Sequence, residues 1–439
     1  MNKLLRCPVQ SQLFDQWLAE QWLAGGRNLQ LQEQVAATIA AIAERGDQAL
    51  IEFTERFDGW KPDAAGQLRI DKSEIDKAAN ELASDDRVAL AAAAGRIRDW
   101  HCRQLPETIE FKDELGNRLL RRPQPLASIA VYVPGGRAAY PSSLLMGALP
   151  AAVAGVEKMI FATPAAPGRL NPWVAHAAQL AGISEGLRIG GAQAIAALAL
   201  GSETVARVDK IVGPGSAYVT EAKRQLAGEV GIDLLAGPSE LVVIGDGSAP
   251  AAWTAADLAA QAEHGADSKV ALISTSCTEL DQVEQLLVEL AAGSDERSVV
   301  LAKVLANAAL IEAGDLHQAR QAANRIAAEH LQLSIADAHR QIDQEWICGC
   351  LCAGAASPVV LSDYCAGCNH VLPTAGRVRF SSGLSVGDFM RTTSIFAASE
   401  SGSAELAPIA AQIACGEGLV AHARAARLRL GQEGADANG

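Results

Sequence analysis

No apolar run in the 439-residue chain reaches the ~18 residues that a membrane-spanning helix needs; the longest, Leu144 to Val156, is broken by Gly147, Pro150 and Gly155. A secretion signal is also missing, because Lys3 and Arg6 are followed by Gln10, Gln12 and Asp15 before any apolar stretch of the required kind. Both absences predict a cytoplasmic protein with no membrane partner. Positive charge is scarce: 37 Lys and Arg face 51 Asp and Glu, a net charge of −14. Such a field repels phosphate backbones and anionic headgroups, so nucleic acid is not an expected partner. There is no paired-cysteine framework. The nine cysteines are odd in number and irregular in spacing, and without an export signal they read as reduced thiols. Cys365 and Cys368 form one C-x-x-C and Cys348, Cys350 and Cys352 alternate, but no second well-spaced C-x-x-C completes a thiolate zinc site. No internal repeat and no low-complexity linker is visible.

Apolar residues make up 49% of the chain and charged residues 20%, enough buried surface to offset the entropy of ordering it. The length suggests about two to four domains. From Leu29 to Trp100 apolar residues recur at helical spacing, through Val35, Ile39 and Ile42 and on to Leu82 and Leu90. From Ser128 short β-branched runs (Ser128 to Val133, Lys158 to Ala162, Leu187 to Ile189, Lys210 to Val212) alternate with Ala-rich helical segments. A second alternating block has strands at Leu241 to Ile244, Val270 to Ile273 and Leu331 to Ile335. Alternation of this kind predicts α/β units with parallel sheets. A helical tail follows Gly383, ending in a polar, frayed Gly431 to Gly439.

Several short motifs carry possible chemistry. Gly416, Gly418 and Ala421 match G-x-G-x-x-A, yet they follow a helical stretch where a dinucleotide fingerprint needs a strand, so the match is rejected. Pro134-Gly135-Gly136 and Gly213-Pro214-Gly215 do follow strands, and glycine turns that open onto a helix can bind anions. Gln261 and His264, three apart on a helix, project from one face. Imidazole suits zinc and an amide is a weak ligand, so other donors would have to complete such a site; an ordinary helix end reads the same way. Glu329-His330 places two bases of different strength side by side, which also fits a solvated helix end. Asp363-Tyr364 and Asn369-His370 lie in a segment too polar for the core.

Taken in order, the blocks Val131-Tyr132-Val133-Pro134-Gly135-Gly136, Gly190-Gly191-Ala192-Gln193-Ala194-Ile195, Val208 to Gly215, Ala236-Gly237-Pro238-Ser239-Glu240, Gln261-Ala262-Glu263-His264, Glu329-His330-Leu331 and Asn369 to Thr374 make the chain resemble the histidinol dehydrogenase family from about Ala36 to Ala425. The resemblance implies two incomplete Rossmann-like parallel-sheet domains with helical N- and C-terminal extensions. Its divisions would be an arm over 1–28, a larger α/β domain over 29–131 and 239–384, an NAD-binding domain over 132–238, and a tail over 385–439 that reaches a partner chain. It implies four-electron, NAD-dependent oxidation of the amino alcohol L-histidinol to L-histidine, with one Zn2+ per chain. By position, Gln261, His264, Asp363 and His422 match the zinc ligands and Glu329 and His330 the catalytic pair. Ser239, His370 and Glu417 match further substrate contacts, and Tyr132, Gln193 and Ser216 the NAD contacts. A homodimer with shared active sites is implied, Glu417 and His422 coming from the other chain. Ser216 stands where the family usually has Asn, Ala328 where Pro commonly precedes the Glu-His pair, and Ser362 where Gly precedes Asp363; Cys365 and Cys368 are uncommon there. These departures leave two other readings: a related zinc and NAD dehydrogenase of another small polar alcohol, and a zinc-dependent binding protein without turnover.

Overall fold

The computed structural model describes residues 4–23, 28–135 and 140–430. Gly136 of the first glycine turn and the tail Gly431 to Gly439 lie outside the described residues. The strands in chain order are β1 (Leu5–Pro8), β2 (Arg69–Ile70), β3 (Ile109–Lys112), β4 (Arg118–Pro125), β5 (Ser128–Tyr132), β6 (Lys158–Ala162), β7 (Gly186–Leu187), β8 (Lys210–Val212), β9 (Gly231–Ile232), β10 (Glu240–Gly245), β11 (Lys269–Ser274), β12 (Ala309–Glu312), β13 (His330–Ser334), β14 (Cys350–Ala353) and β15 (Met390–Ala397). The chain divides into two compact units, one of residues 1–104 and 126–389, the other of 105–125 and 390–439.

The larger unit holds two six-stranded sheets, ordered β1-β12-β11-β10-β13-β14 and β2-β7-β6-β5-β8-β9. Strand for strand these are the same topology, so a repeat absent from the sequence is present in the fold. The N-terminal strands make the one difference: β1 joins its sheet parallel and β2 antiparallel. In the first sheet β10 is buried throughout. Val242 and Ile244 point into one apolar cluster and Leu241 and Val243 into the other, as the two-residue period of a strand covered on both faces requires. In the second sheet the apolar run that begins at Leu144 forms part of the helix Pro141–Ala154, buried behind Val131 and Val212. Gly147 lets that helix approach, since a Cβ there would meet the Val131 side chain.

Three expected boundaries need correction. The helix Leu29–Arg45 does not belong with 239–384. Its stripe of Val35, Ile39 and Ile42 is covered by the Ala-rich helix Gly191–Leu200, which offers close-packing small side chains, and by the helix Ala217–Leu226 of the same second sheet. Likewise β5, expected to end the larger domain, is the central strand of that second sheet. The expected arm over 1–28 joins the first sheet: β1 pairs with β12, and Phe14, Trp17 and Trp22 are core residues, with the Trp17 indole N–H bonded to the Asn307 carbonyl at 2.9 Å.

In the smaller unit β15-β4-β3 form an antiparallel sheet, so the segment after Gly383 is not wholly helical and 105–125 joins it. Asp113 accepts the N–H groups of Leu115 and Asn117 across the hairpin turn, and the buried Asn117 accepts the Ser399 N–H at 3.0 Å. That bond fixes the start of the helix Glu400–Gly416, where Gly402 leaves room for the Asn117 amide. The rejected glycine match falls in the turn between this helix and the helix Val420–Leu428; Gly418 takes φ +76°, and no strand precedes it.

Candidate active site

The parallel register sets Leu241 opposite His330, so Glu240 and Glu329, just before them, meet at the starting edge of β10 and β13. Each accepts the other's backbone N–H: Glu240 N–H to Glu329 Oε2 at 2.9 Å, and Glu329 N–H to Glu240 Oε2 at 3.2 Å. Glu240 Oε1 also accepts the Ala375 N–H at 2.9 Å. Burial pushes the Glu240 carboxyl up to about 7, against the pull of the Ala375 N–H.

His330 is 3% exposed and lies between two carboxylates, Nε2 at 3.1 Å from Asp363 Oδ1 and Nδ1 at 3.7 Å from Glu329 Oε2. Neither approach is aligned as a hydrogen bond, so both ring nitrogens and Asp363 Oδ1 are buried polar atoms without a hydrogen-bond partner among the described residues. Burial opposes charge on His330, but Asp363 and Glu329 outweigh it and hold the imidazole well above its ordinary value. Burial also opposes charge on Asp363; the His330 contact overcomes it, helped by His370 and His264, and the carboxyl sits below its usual range.

His370 is placed by its neighbour. The buried Asn369 amide donates to the Met146 carbonyl at 2.8 Å and its oxygen accepts the Val371 N–H at 2.9 Å. Nδ1 of His370 lies 2.7 Å from the Asp363 carbonyl, which can only accept, so Nδ1 carries the proton and Nε2 is left as the basic nitrogen. Burial lowers the His370 pKa. Gln261 is buried in the last turn of the helix Ala251–Ala262, and His264 stands exposed just beyond it. One turn earlier Asp257 accepts from the Gln332 amide at 2.6 Å, tying this helix to β13 two residues past His330.

Among the described residues no three His, Cys, Asp or Glu side chains already converge on a metal position. The expected donors Gln261, His264 and Asp363 nevertheless belong to the larger unit, and His264 is close enough to depress the Asp363 pKa. An amide oxygen, a carboxylate and imidazoles form an N/O set that suits zinc, and Asp363 Oδ1, in contact with His330 but in no aligned hydrogen bond, is the carboxylate oxygen such a metal would take. The fourth expected ligand, His422, and the substrate contact Glu417 lie in the smaller unit, both exposed. All nine cysteines are unpaired; Cys350 and Cys352 lie on β14, beside β13.

The expected NAD contacts gather at the opposite kind of edge, where β5 and β8 end. Tyr132 is buried and its hydroxyl accepts the Gly191 N–H at 3.0 Å; burial raises the phenol to about 12. Gln193 is 1% exposed, with its amide nitrogen lacking a partner among the described residues. Ser216 is exposed at the start of the helix Ala217–Leu226 and its side chain makes no capping bond. Gly213 takes φ +112°, and a Cβ there would run into the Tyr132 carbonyl oxygen. These features suit an anionic ligand that approaches the backbone closely.

Sequence reasoning missed what holds the two edges. Lys223 and Asp233, both almost fully buried, pair at 2.6 Å; Lys223 donates to the Gly213 carbonyl and Asp233 accepts the Gly213 N–H. Asp58 accepts the Gly190 N–H at 3.1 Å. Glu240 stood only as the last residue of the block Ala236-Gly237-Pro238-Ser239-Glu240, with no role attached to it.

A histidinol dehydrogenase family model matches residues 25–430. The chain is 45% identical to the histidinol dehydrogenase of Aromatoleum aromaticum over 406 residues, 92% of this chain and 93% of that one. It is 45% identical to that of Chromobacterium violaceum over 396 residues, 90% and 91% of the two chains. The crystal structure of histidinol dehydrogenase from Elizabethkingia anophelis superposes with a TM-score of 0.90 at 31% identity, covering 98% of this chain and 99% of that one. With sequence and fold matched over nearly the whole length, the chain belongs to the histidinol dehydrogenase family.

Proposed function

We propose that the protein oxidises L-histidinol through the aldehyde to L-histidine, using zinc and two equivalents of NAD. The observation that carries this reading is His330, buried between the Glu329 and Asp363 carboxylates at the open edge of two parallel strands. Zinc held by Gln261, His264, Asp363 and His422 would draw the Asp363 charge away from His330, freeing it as a base, and would orient the amino and imidazole nitrogens of the substrate. Tyr132, Gln193 and Ser216 would hold NAD, which when bound would supply the hydride acceptor for both oxidations.

The chain's own residues move the protons. His330 takes the hydroxyl proton of the alcohol as the carbon is oxidised. Glu329 then takes a proton from the water that adds to the aldehyde, and His330 accepts the hydrate's proton in the second oxidation. Water replaces the thiol nucleophile that other aldehyde-oxidising enzymes use. Ser239, His370 and Glu417 would hold the substrate. Glu417 and His422 are proposed to come from a second copy; exposed Ile409, Ile413, Leu419 and Val420 on the two C-terminal helices and the turn between them support a partner surface there.

The test is NADH absorbance with zinc-loaded protein and histidinol. Two NADH per histidine formed are expected. One NADH per alcohol consumed, or inert histidinol beside an oxidised small polar alcohol of another kind, would contradict the assignment.

A further inference from the structure

We propose that Glu240 is the positioning residue for Glu329, and so governs the aldehyde step far more than the alcohol step; this rests on the water-activating role given to Glu329 above. Glu240 is 0% exposed, and its carboxylate is the meeting point of three chain segments. It opens β10 directly after Ser239, receives the Glu329 N–H from the start of β13, and receives the Ala375 N–H from the segment that follows His370. Ala375 is held at φ +56°, a conformation an alanine adopts only where its surroundings impose it. The adjoining Thr374 hydroxyl accepts the Gly237 N–H at 2.7 Å, closing the same junction from the other side.

The tie is reciprocal. The Glu240 N–H engages Glu329 Oε2, which fixes the rotation of the Glu329 carboxylate and leaves Oε1 as the oxygen able to take a proton from water. Both Glu240 oxygens serve here as acceptors, which a carboxylate provides without a competing N–H donor. A glutamine at 240 would turn an amide NH2 toward either the Glu329 or the Ala375 N–H, leaving a donor facing a donor in a buried place. The Glu329 side chain would then lose its register with the substrate while its own chemistry is untouched. The charge of Lys269 favours the ionised Glu240, but its ammonium donates to the Trp22 carbonyl, and the hydrogen bonds to the carboxylate come from the Glu329 and Ala375 N–H groups.

The experiment compares full-length, zinc-loaded wild type, Glu240→Gln, Glu329→Gln and the double variant in two single-turnover reactions, histidinol with NAD and histidinal with NAD. Amide hydrogen exchange at residues 329 and 375 is followed in parallel, which needs no activity. A general base contributes ~10²–10⁴-fold, so Glu240→Gln is expected to slow aldehyde oxidation by about 10–100-fold, less than Glu329→Gln, and alcohol oxidation less than about threefold. The double variant should be no slower than Glu329→Gln alone, and amides 329 and 375 should exchange faster than in wild type. Equal slowing of both reactions by Glu240→Gln while Glu329→Gln remains selective, or losses that multiply in the double variant, would overturn the positioning role. Loss of selectivity in Glu329→Gln itself would instead remove the water-activating role, and this proposal with it. If Glu240→Gln does not fold, Glu240→Asp, which keeps the charge but withdraws both oxygens by a methylene, carries the same comparison.

Discussion

The two sheets of the larger unit share a strand order but use opposite edges. Around β5 and β8 the candidate cofactor contacts sit where strands end and helices begin, the usual crevice of a doubly wound sheet. Around β10 and β13 the candidate catalytic pair and Glu240 sit where strands start. The other edge of that first sheet explains part of the choice. There Asp246 accepts the Ser248 and Ala336 N–H groups and Glu279 accepts the Gly247 N–H, so the protein's own carboxylates already stand where a phosphate would bind. In the second sheet Asp233, which accepts the Gly213 N–H, is neutralised by Lys223, while Asp58 accepts the Gly190 N–H. One topology thus carries the candidate cofactor contacts at one edge in one copy, and the candidate bases at the far edge in the other.

The largest effects should come from disabling the base edge. A Glu329→Gln, His330→Asn chain is expected to lose ~10²–10⁴-fold or more in turnover, as is a His422→Ala chain. Each then carries lesions in a different unit of the protein. If the C-terminal unit crosses to a second copy, co-refolding the two chains gives heterodimers in which one site holds every lesion and the other none, and activity returns toward half of wild type per heterodimer. Heterodimers shown by mass but inactive would mean that His422 serves its own chain.

A smaller and sharper effect concerns the metal. The His264→Asn substitution should release zinc, measured by elemental analysis, while replacing Cys365 and Cys368 together by Ser should leave one zinc per chain. Retention in the first variant and loss in the second would move the metal from the N/O donors to the thiols.

Much of this frame was legible in the sequence, and the gaps have physical causes. Strands such as Lys158–Ala162 and Lys210–Val212 stood out because β-branched and apolar residues of buried parallel strands form short runs between helical segments. The strands β4 and β15 did not, because their antiparallel pair is rich in Arg, Thr and Ser on exposed positions and lacks an apolar run. The Glu329-His330 pair could be located, but its setting could not: a dipeptide looks the same at a solvated helix end as at the start of a buried strand. Glu240 escaped notice as a positioning group because its two acceptor oxygens matter only through the N–H groups of Glu329 and Ala375, 89 and 135 residues away. The repeat between the two sheets left no mark, since topology constrains the order of apolar runs and not their residues.

The division of labour between the edges is tested most directly by NAD affinity, measured by titration in the absence of substrate on two folded variants. Gly213→Ala places a methyl group against the Tyr132 carbonyl at the cofactor edge, whereas Glu329→Gln, His330→Asn alters only the base edge. The account predicts that NAD binding weakens at least about tenfold in the first, about 1.4 kcal/mol, and stays within twofold of wild type in the second. Unchanged affinity in Gly213→Ala together with lost affinity in the Glu329→Gln, His330→Asn protein would contradict it.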